Sequence, residues 1–172
     1  MTQLTVPHVQ QQRPKWCWAA CIEMVLNAKT QRQAIRQCQL VNDAHGMFLC
    51  CTQNAIPQLC NMGLSVSKVA TEWKRRSYDV DYSAGALPFA DIVACIDRNW
   101  PFQVGLTYNS AIGHAVLVVG YLAADDEDAD IGEGFLYVND PAWPGPRWIS
   151  YSALQTAEGQ GGQWAHSWSR IR

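Results

Sequence analysis

A group of residues with the chemistry of nucleophilic catalysis is spread along this chain. Cys17 stands between two tryptophans in QQRPKWCWAACIEMVL, at the start of a helix-forming segment. A thiol in the first turn of a helix meets the positive end of the helix dipole and unpaired backbone amides, and both favour the thiolate. A reactive cysteine also needs an imidazole to hold its proton and donors to stabilise an oxyanion. The segment therefore predicts a nucleophile that requires partners elsewhere in the chain.

The imidazole that best fits this cysteine is His114. It stands in IGHAVLVVGY, at the start of the most strongly β-forming run in the chain, where a rigid strand would fix the ring. The other histidines are predicted to be structural or exposed. They are His8 near the terminus, His45 in a cysteine-rich segment and His166 in a tryptophan-rich one. Cys17 and His114 are therefore the predicted nucleophile and base.

A third group should orient the imidazole. The stretch FLYVNDPAWPG offers Asn139 and Asp140 at a strand end that Pro141 closes. Adjacent strand residues point to opposite faces, so only one of these two side chains can reach the ring. We favour Asp140 and leave Asn139 open.

Two donors are expected to stabilise the oxyanion. The backbone amide of Cys17 lies at a helix start and provides the first. A side-chain amide shortly upstream would provide the second. Gln11, six residues before Cys17, is the preferred candidate, and Gln12 and Gln10 are the alternatives.

The elements that would carry these residues change character halfway along the chain. Apolar residues at helical spacing predict a helix with one buried face over residues 17–28. Further helices are predicted over 30–41, 65–76 and 88–99, with a helical piece at 53–60 and a short strand at 79–82. Strands are predicted over 102–108, 115–122, 135–139, 147–151 and 163–171. Helices followed by a mostly antiparallel sheet predict an α+β fold.

The four motifs together resemble those of papain-like cysteine peptidases, in their order along the chain. They are Gln11, Cys17-Trp18-Ala19-Ala20, Gly113-His114-Ala115-Val116 and Asn139-Asp140-Pro141. The resemblance covers roughly residues 7 to 155 and is to the small bacterial branch, which includes secreted avirulence-effector peptidases and bacteriocin-leader-processing domains. It implies one papain-like domain over 1–172. A helical lobe (about 15–100) led by the nucleophile helix would pack on an antiparallel sheet lobe (about 101–172), with the active-site cleft between them.

The resemblance also implies a role for each site residue. Cys17 would be the nucleophile, His114 the general base and then acid, Asp140 the orienting group and Gln11 the oxyanion donor. The separation of Cys17 and His114 is 97 residues (114 minus 17), shorter than the roughly 130 to 150 of the larger papain and cathepsin enzymes. This suggests a minimal sheet lobe. Those enzymes use an asparagine as the third member, which keeps Asn139 in consideration.

Four tryptophans flank the proposed site. The resemblance implies that Trp18 packs the nucleophile helix against the sheet lobe and that Trp16 lines the cleft, although both could simply be core residues. Trp143 and Trp148 follow the orienting group and could shield its pairing with the histidine from water, which would strengthen the ion pair.

The chain has seven cysteines, an odd number that leaves at least one unpaired. Cys38, Cys50, Cys51 and Cys60 could form disulfides, remain buried thiols, or bind zinc with His45. The absence of a CxxC pair disfavours zinc. The adjacent Cys50 and Cys51 would bond more easily to two different partners than to each other. Cys21 and Cys95 are predicted to be core residues, and no metal or cofactor is predicted.

Composition limits the classes of function. The chain has 172 residues, 48% of them hydrophobic, and a formal net charge of −2, so one globular domain is expected without a basic field for nucleic acid or an anionic membrane. No apolar run approaches the roughly 18 to 20 residues that span a bilayer, and the first residues lack signal-peptide features. A leader or a larger parent protein could nevertheless have been removed. The acidic run at 125–130, with Glu133 beyond it, predicts a solvated hairpin tip and not a calcium loop.

The predicted function is hydrolysis of peptide bonds through a thioester acyl-enzyme. The effector-like resemblance adds the hypothesis of a bacterial toxin or effector, secreted or delivered to a target cell, that cleaves a protein there. A cognate inhibitor or immunity protein would then be its partner. An amidase acting on peptidoglycan peptides, an acyl transferase and a non-catalytic binding module on the same fold remain the alternatives.

Overall fold

The computed structural model describes residues 1–29, 35–52, 57–108, 112–124 and 134–172. The helices within these ranges are α1 (Cys17–Lys29), α2 (Gln37–His45), α3 (Val66–Arg75), α4 (Phe89–Asp97) and α5 (Tyr151–Gln155). Short 3-10 turns cover Gln58–Cys60 and Ala157–Gly159. The strands are β1 (Thr2–Gln3), β2 (Asp81–Ala84), β3 (Phe102–Tyr108), β4 (Ile112–Ala123), β5 (Gly134–Asn139), β6 (Arg147–Ser150) and β7 (Gly162–Ser169).

The strands form one antiparallel sheet in the order β2-β7-β3-β4-β5-β6, and β1 pairs with β4. β4 is paired on both sides, with β3 over its first half and with β5 over its second. His114 lies opposite Leu106 of β3, and Asn139 at the end of β5 lies opposite Leu117. Pairing on both sides therefore fixes β4, the strand that carries the histidine, and the end of β5 lies close beside it. The α+β class predicted from the sequence is confirmed.

Helix α1 is more deeply buried than its apolar spacing suggests. Every residue from Cys17 to Leu26 is buried, because β4 packs against one side of the helix and α2 against another. Even Glu23 lies inside, where Gln37 Nε2 of α2 donates to its carboxyl at 2.8 Å. Burial raises the pKa of this carboxyl, and the Gln37 hydrogen bond opposes that shift. The prediction of a single buried face was wrong, since a helix in this position is covered almost all round.

The other boundaries show where local patterns were misleading. The second helix runs over Gln37–His45 and not 30–41, of which residues 30–34 lie outside the described residues. Its first turn is set by Gln39, whose side chain accepts from the Arg36 amide at 2.9 Å, and Gly46 ends it with φ 65°. The helical piece at 53–60 is a 3-10 turn at its end, with 53–56 outside the described residues. The acidic run at 125–130 and Glu133 also lie outside them.

The cysteine-rich segment is closed by two disulfides, Cys38–Cys51 and Cys50–Cys60. The disulfide interpretation is confirmed, and the adjacent cysteines do bond to different partners. The zinc interpretation is wrong because all four sulfurs are used in these bonds. Three cysteines are free and buried: Cys17, Cys21 and Cys95. None of the helices in the described part of the chain has the length and apolar character needed to cross a membrane.

Candidate active site

Cys17 is the first residue of α1 and is 8% exposed. The residues just before it form a tight turn, in which the Trp16 amide donates to Arg13 O at 3.0 Å. This turn presents the sulfur at the helix start, where backbone amides lack helical partners. The local sequence thus places the sulfur at the positive end of the helix dipole.

The residues on either side of Cys17 are anchored to three consecutive residues that begin with the disulfide-bonded Cys60. These contacts are Trp16 Nε1 to Cys60 O at 2.7 Å, the Lys15 amide to Asn61 Oδ1 at 3.0 Å, and Trp18 Nε1 to Met62 O at 3.3 Å. Two indole N–H groups therefore fix the backbone before and after the cysteine. This explains why one cysteine stands between two tryptophans.

Only one of the two tryptophans lines the cleft, and it is not the one that the family resemblance implied. Trp16 is completely buried and does not line the cleft, whereas Trp18 does line it. Trp18 also packs edge-on against His45. The expectation for Trp16 was wrong because its indole turns toward the Cys60 carbonyl, behind the helix start.

His114 links the cysteine to a carboxylate. Its Nε2 lies 2.7 Å from Asp140 Oδ1, and Cys17 lies close enough to the ring for its hydrogen bonding and charge to raise the pKa of His114. Since Nε2 faces the carboxylate, the other ring nitrogen is the one available to the sulfur. Burial by itself would lower the pKa of His114, but hydrogen bonds and charges from Asp140 and Cys17 raise it to about 10. The ring is therefore held as an imidazolium at neutral pH.

Asp140, and not Asn139, faces this imidazole. Asp140 follows β5, and its Oδ1 also accepts from the Ala142 amide at 2.9 Å. Burial alone would raise the pKa of Asp140, but the His114 hydrogen bond and charge, the Ala142 amide and the Arg147 charge together lower it. Asn139 is turned away and donates to Val6 O at 3.0 Å. The alternation of the strand thus decides between the two neighbours.

Gln11 lies at the edge of this arrangement. Its backbone amide donates to Pro141 O at 2.9 Å, and its side-chain Nε2 lies 2.9 Å from Pro14 O and 3.1 Å from Arg13 O. Gln11 does not line the cleft, although Pro14 does. The two loop carbonyls would compete with a substrate oxyanion for the hydrogens of this amide. The side chains of Gln10 and Gln12 are exposed.

A cleft of ≈ 510 Å³ opens above Cys17 and His114. It lies between the start of α1, the segment that leads into α3, and strands β3, β4 and β7. Its walls are mostly apolar, and its lining includes Trp18, Leu64, Val69, Leu106, His166 and Trp168. Gly105 forms part of this surface, and a Cβ there would lie only 3.0 Å from atoms of His166 and Trp168. The cleft has the dimensions and character of a ligand site.

Comparison with known proteins identifies the family. The model of the Peptidase_C39 like family matches residues 3–169, nearly the whole chain. The chain belongs to the Peptidase_C39 like family. It is accordingly a cysteine peptidase, as the sequence motifs predicted.

Two solved structures share the fold of this peptidase. A double glycine motif protease from an AMS/PCAT transporter, solved in complex with the leader peptide, matches with a TM-score of 0.56 and 15% identity over 98% of both chains. The peptidase domain of Streptococcus ComA, a bifunctional ABC transporter involved in quorum sensing, matches with a TM-score of 0.56 and 13% identity. That match covers 97% of the peptidase and 99% of the ComA chain. No curated protein matches the chain. The papain-like fold expected from the sequence is confirmed.

Sequence reasoning missed two histidines near the site. His166, expected to be structural or exposed, lines the cleft, and its Nδ1 lies 3.1 Å from Tyr82 Oη. The Nε2 of His8 lies 2.8 Å from the backbone oxygen of Asp140. No local motif marks either residue. Pairing of β7 with β3 places His166 opposite Gly105, and the path of the N-terminal segment brings His8 to Asp140.

The charged neighbour of Asp140 was also missed. Arg147 Nη2 lies 3.7 Å from Asp140 Oδ2, and its guanidinium packs 4.6 Å from the centre of the Trp143 ring. Trp148 instead packs on Tyr137. Trp143 and Trp148 are 47% and 38% exposed, and shielding of the carboxylate by these rings stays a prediction.

Proposed function

We propose that Cys17, His114 and Asp140 act as the catalytic triad of this peptidase, within a single peptidase domain. The observation that carries the proposal is the His114 ring, whose Nε2 lies 2.7 Å from Asp140 Oδ1 and whose pKa is raised by both Asp140 and Cys17. A thiolate and an imidazolium held together by a buried carboxylate are the components of nucleophilic acyl transfer.

The chemistry follows from the protonation states of this pair. The Cys17 thiolate attacks the carbonyl carbon of a peptide bond, and the carbonyl oxygen becomes an oxyanion. The imidazolium of His114 gives its proton to the leaving amine as the carbon–nitrogen bond breaks, leaving a thioester on Cys17. Neutral His114 then takes a proton from water as the water oxygen attacks the thioester carbon. The carbon–sulfur bond breaks, which releases the carboxylic acid and restores the Cys17 thiolate beside the imidazolium. Asp140 keeps the ring oriented throughout.

The oxyanion is assigned to two donors, the Cys17 amide and the Gln11 side chain. The Cys17 amide lies at the helix start, where it is free of a helical partner. Gln11 would serve by turning its amide from Pro14 O and Arg13 O toward the cleft when substrate binds. Its backbone bond to Pro141 O keeps it next to the end of β5 while it does so.

The proposed substrate is a peptide segment of a protein. One structural neighbour was solved with a leader peptide in complex, which supports an extended peptide as the ligand of a cleft on this fold. Two disulfides suit an oxidising environment and support the proposal of a secreted or delivered peptidase. The proposal extends to a role as a bacterial effector or toxin with a cognate inhibitor or immunity protein. A target-cell assay would test that role.

The deciding experiment is labelling with an epoxide inhibitor of cysteine peptidases, followed by peptide mapping. We expect modification at Cys17 that is lost in His114→Ala. The two other free thiols supply the controls, since Cys21→Ala and Cys95→Ala should label as the wild type does. Labelling spread equally over the three cysteines, or labelling that survives His114→Ala, would exclude the proposed pair.

Substrate digestion separates this function from its alternatives. The protein is incubated with a peptide that contains a double-glycine motif, with a denatured proteome and with purified cell-wall sacculi, and the products are compared by mass spectrometry. Cleavage of proteins or peptides that depends on Cys17 is expected. Cleavage of sacculi alone would assign an amidase, and transfer of an acyl group without hydrolysis would assign a transferase. Binding without turnover, unaffected by Cys17→Ala, would assign a non-catalytic module.

A further inference from the structure

Asp140 has a second charged contact that the proposed triad does not use. Its Oδ1 is already occupied by His114 and the Ala142 amide. Its Oδ2 faces Arg147 Nη2 at 3.7 Å. Asp140 is almost fully buried, so a guanidinium at this distance is less screened by water than a surface ion pair would be, and its charge adds to the effects of His114 and the Ala142 amide in lowering the pKa of the carboxyl.

Arg147 is itself held in place from two sides. Its two terminal nitrogens form a forked pair with Glu158, Nη2 to Oε1 at 2.5 Å and Nη1 to Oε2 at 2.7 Å. The Trp143 ring covers its guanidinium at 4.6 Å. A forked pair and an aromatic face fix a guanidinium much better than a single ion pair does. Arg147 is therefore a rigid charge and not a mobile surface side chain.

The backbone around these groups is also constrained. Glu158 has a φ of 57°, between Ala157 at 47° and Gly159 at 73°. Consecutive left-handed residues persist only where the surrounding contacts hold them. Arg147 starts β6 and pairs in register with Val138, two residues before Asp140. The turn that joins β5 to β6 carries three prolines, at positions 141, 144 and 146, and this limits how far Arg147 can move from the carboxylate.

We propose that Arg147 is a positioning residue of the peptidase, which holds Asp140 ionised and turned toward His114, while Glu158 and Trp143 hold Arg147. This inference rests on the proposed function, because Arg147 acts only through Asp140 and the histidine. Its charge keeps the carboxylate from taking up a proton in mild acid. The ion pair between the Cys17 thiolate and the His114 imidazolium then persists to lower pH than it would without Arg147.

Other titratable groups also face Asp140, and the effect of Arg147 is superimposed on theirs. They are Cys17 and Cys21 of α1, Tyr108 of β3, His114 of β4, His8 of the N-terminal segment and, beyond Arg147, Glu158. The charge that each substitution leaves behind sets the direction in which protonation of Asp140 changes. Arg147→Gln leaves the Glu158 charge uncompensated near Asp140, which favours protonation. Glu158→Gln keeps one side-chain oxygen that accepts from Arg147 and so keeps Arg147 in place, but it leaves the Arg147 charge uncompensated, which opposes protonation.

The test is the rate of Cys17 alkylation by iodoacetamide as a function of pH, read by mass spectrometry of the Cys17 peptide. We expect the acid limb of the wild-type profile to move up by about 0.5 to 1 pH unit in Arg147→Gln. In Glu158→Gln it should stay or move down. Arg147→Lys keeps the charge and should restore most of the wild-type limb. Arg172→Gln is the matched control, since Arg172 also has a carboxylate partner, Asp79, and a tryptophan ring, Trp100, away from the site.

The outcomes separate this inference from the proposed function. If wild-type Cys17 reacts no faster below pH 7 than Cys21 and Cys95, the proposed ion pair itself fails. If wild-type Cys17 does react there and Arg147→Gln has the same acid limb, Arg147 is not a positioning residue. Equal upward shifts in Arg147→Gln and Glu158→Gln would also overturn the inference, because they indicate a general loosening. If Arg147→Gln fails to fold, the inference is judged from the acid limbs of Arg147→Lys and Glu158→Gln. An upward shift of the acid limb in Glu158→Gln then overturns it.

Discussion

Removing one disulfide at a time should separate the stability of this peptidase from the positioning of its nucleophile. Cys38–Cys51 and Cys50–Cys60 join residues separated by 13 and 10 positions. In the chain-entropy model, a loop of either length contributes about 3 kcal/mol to the free energy of unfolding. We therefore expect the double variants Cys38→Ala/Cys51→Ala and Cys50→Ala/Cys60→Ala to be destabilised by similar amounts, about 3 kcal/mol each.

Their activities should differ, because only the second disulfide ends at the residues that anchor the nucleophile. Cys60 O accepts the Trp16 indole, and the next two residues accept from Lys15 and Trp18. Weakening one or two of these hydrogen bonds should cost about 1.4 kcal/mol in the positioning of Cys17. The variant without Cys50–Cys60 should therefore lose about tenfold in kcat. The variant without Cys38–Cys51 should keep a kcat within about twofold of the wild type.

Urea unfolding with linear extrapolation measures the two stabilities. The kinetic constants kcat and KM are then measured on one peptide substrate, at a temperature where both variants are folded. Equal losses of kcat in the two variants would refute the reasoning, since activity would then follow stability and not the contacts of residues 60–62. A fully active variant without Cys50–Cys60 would refute it as well.

Three further predictions concern the proposed triad and oxyanion site. Asp140→Asn should lower kcat by about 10²- to 10⁴-fold with little change in KM. Asn139→Ser should affect mainly the melting temperature. Among the contacts that the structure describes, the Asn139 side chain bonds only to the backbone of Val6. Gln11→Ala should lower kcat by about 10²- to 10³-fold and Gln12→Ala should not; equal rates in the two variants would remove Gln11 from the oxyanion site. The pKa of His114 is raised from 6.5 to about 10, so its contribution to stability is complete below pH 6.5 and is lost as the pH rises through about 10. Urea unfolding at pH 6, 8 and 10 should show this loss in the wild type and not in His114→Ala.

Much of the framework was predictable because it depends on short-range patterns. The start of α1 at Cys17 and the limits of β3 agree with the sequence prediction to the residue. The predicted strand at 115–122 is the central part of β4. Helical spacing and β-branched runs act through neighbouring residues, so they can be recognised without a structure. The strand β1 and the five-residue helix α5 were not predicted, because elements of that length carry too few residues for a pattern.

The residues around the proposed triad were predictable only where they lie in a motif. Gln11, Cys17, His114 and Asp140 each stand in a recognisable stretch. Arg147 and His166 do not, and both reach the site through pairing between strands distant in the chain, β6 with β5 and β7 with β3. The wrong placement of Trp16 has the same origin, since a tryptophan next to a cysteine gives no indication of which carbonyl its indole will meet.

The sequence by itself determined the class of fold, the position of the nucleophile at a helix start, and the strands that carry the histidine and the carboxylate. Tertiary structure alone decided which cysteines pair, which face of the β5 end meets His114, and that a guanidinium stands behind Asp140. The physical reason is range. Helix starts and strand alternation are set by the next few residues, whereas disulfide partners and charge contacts are set by the path of the whole chain.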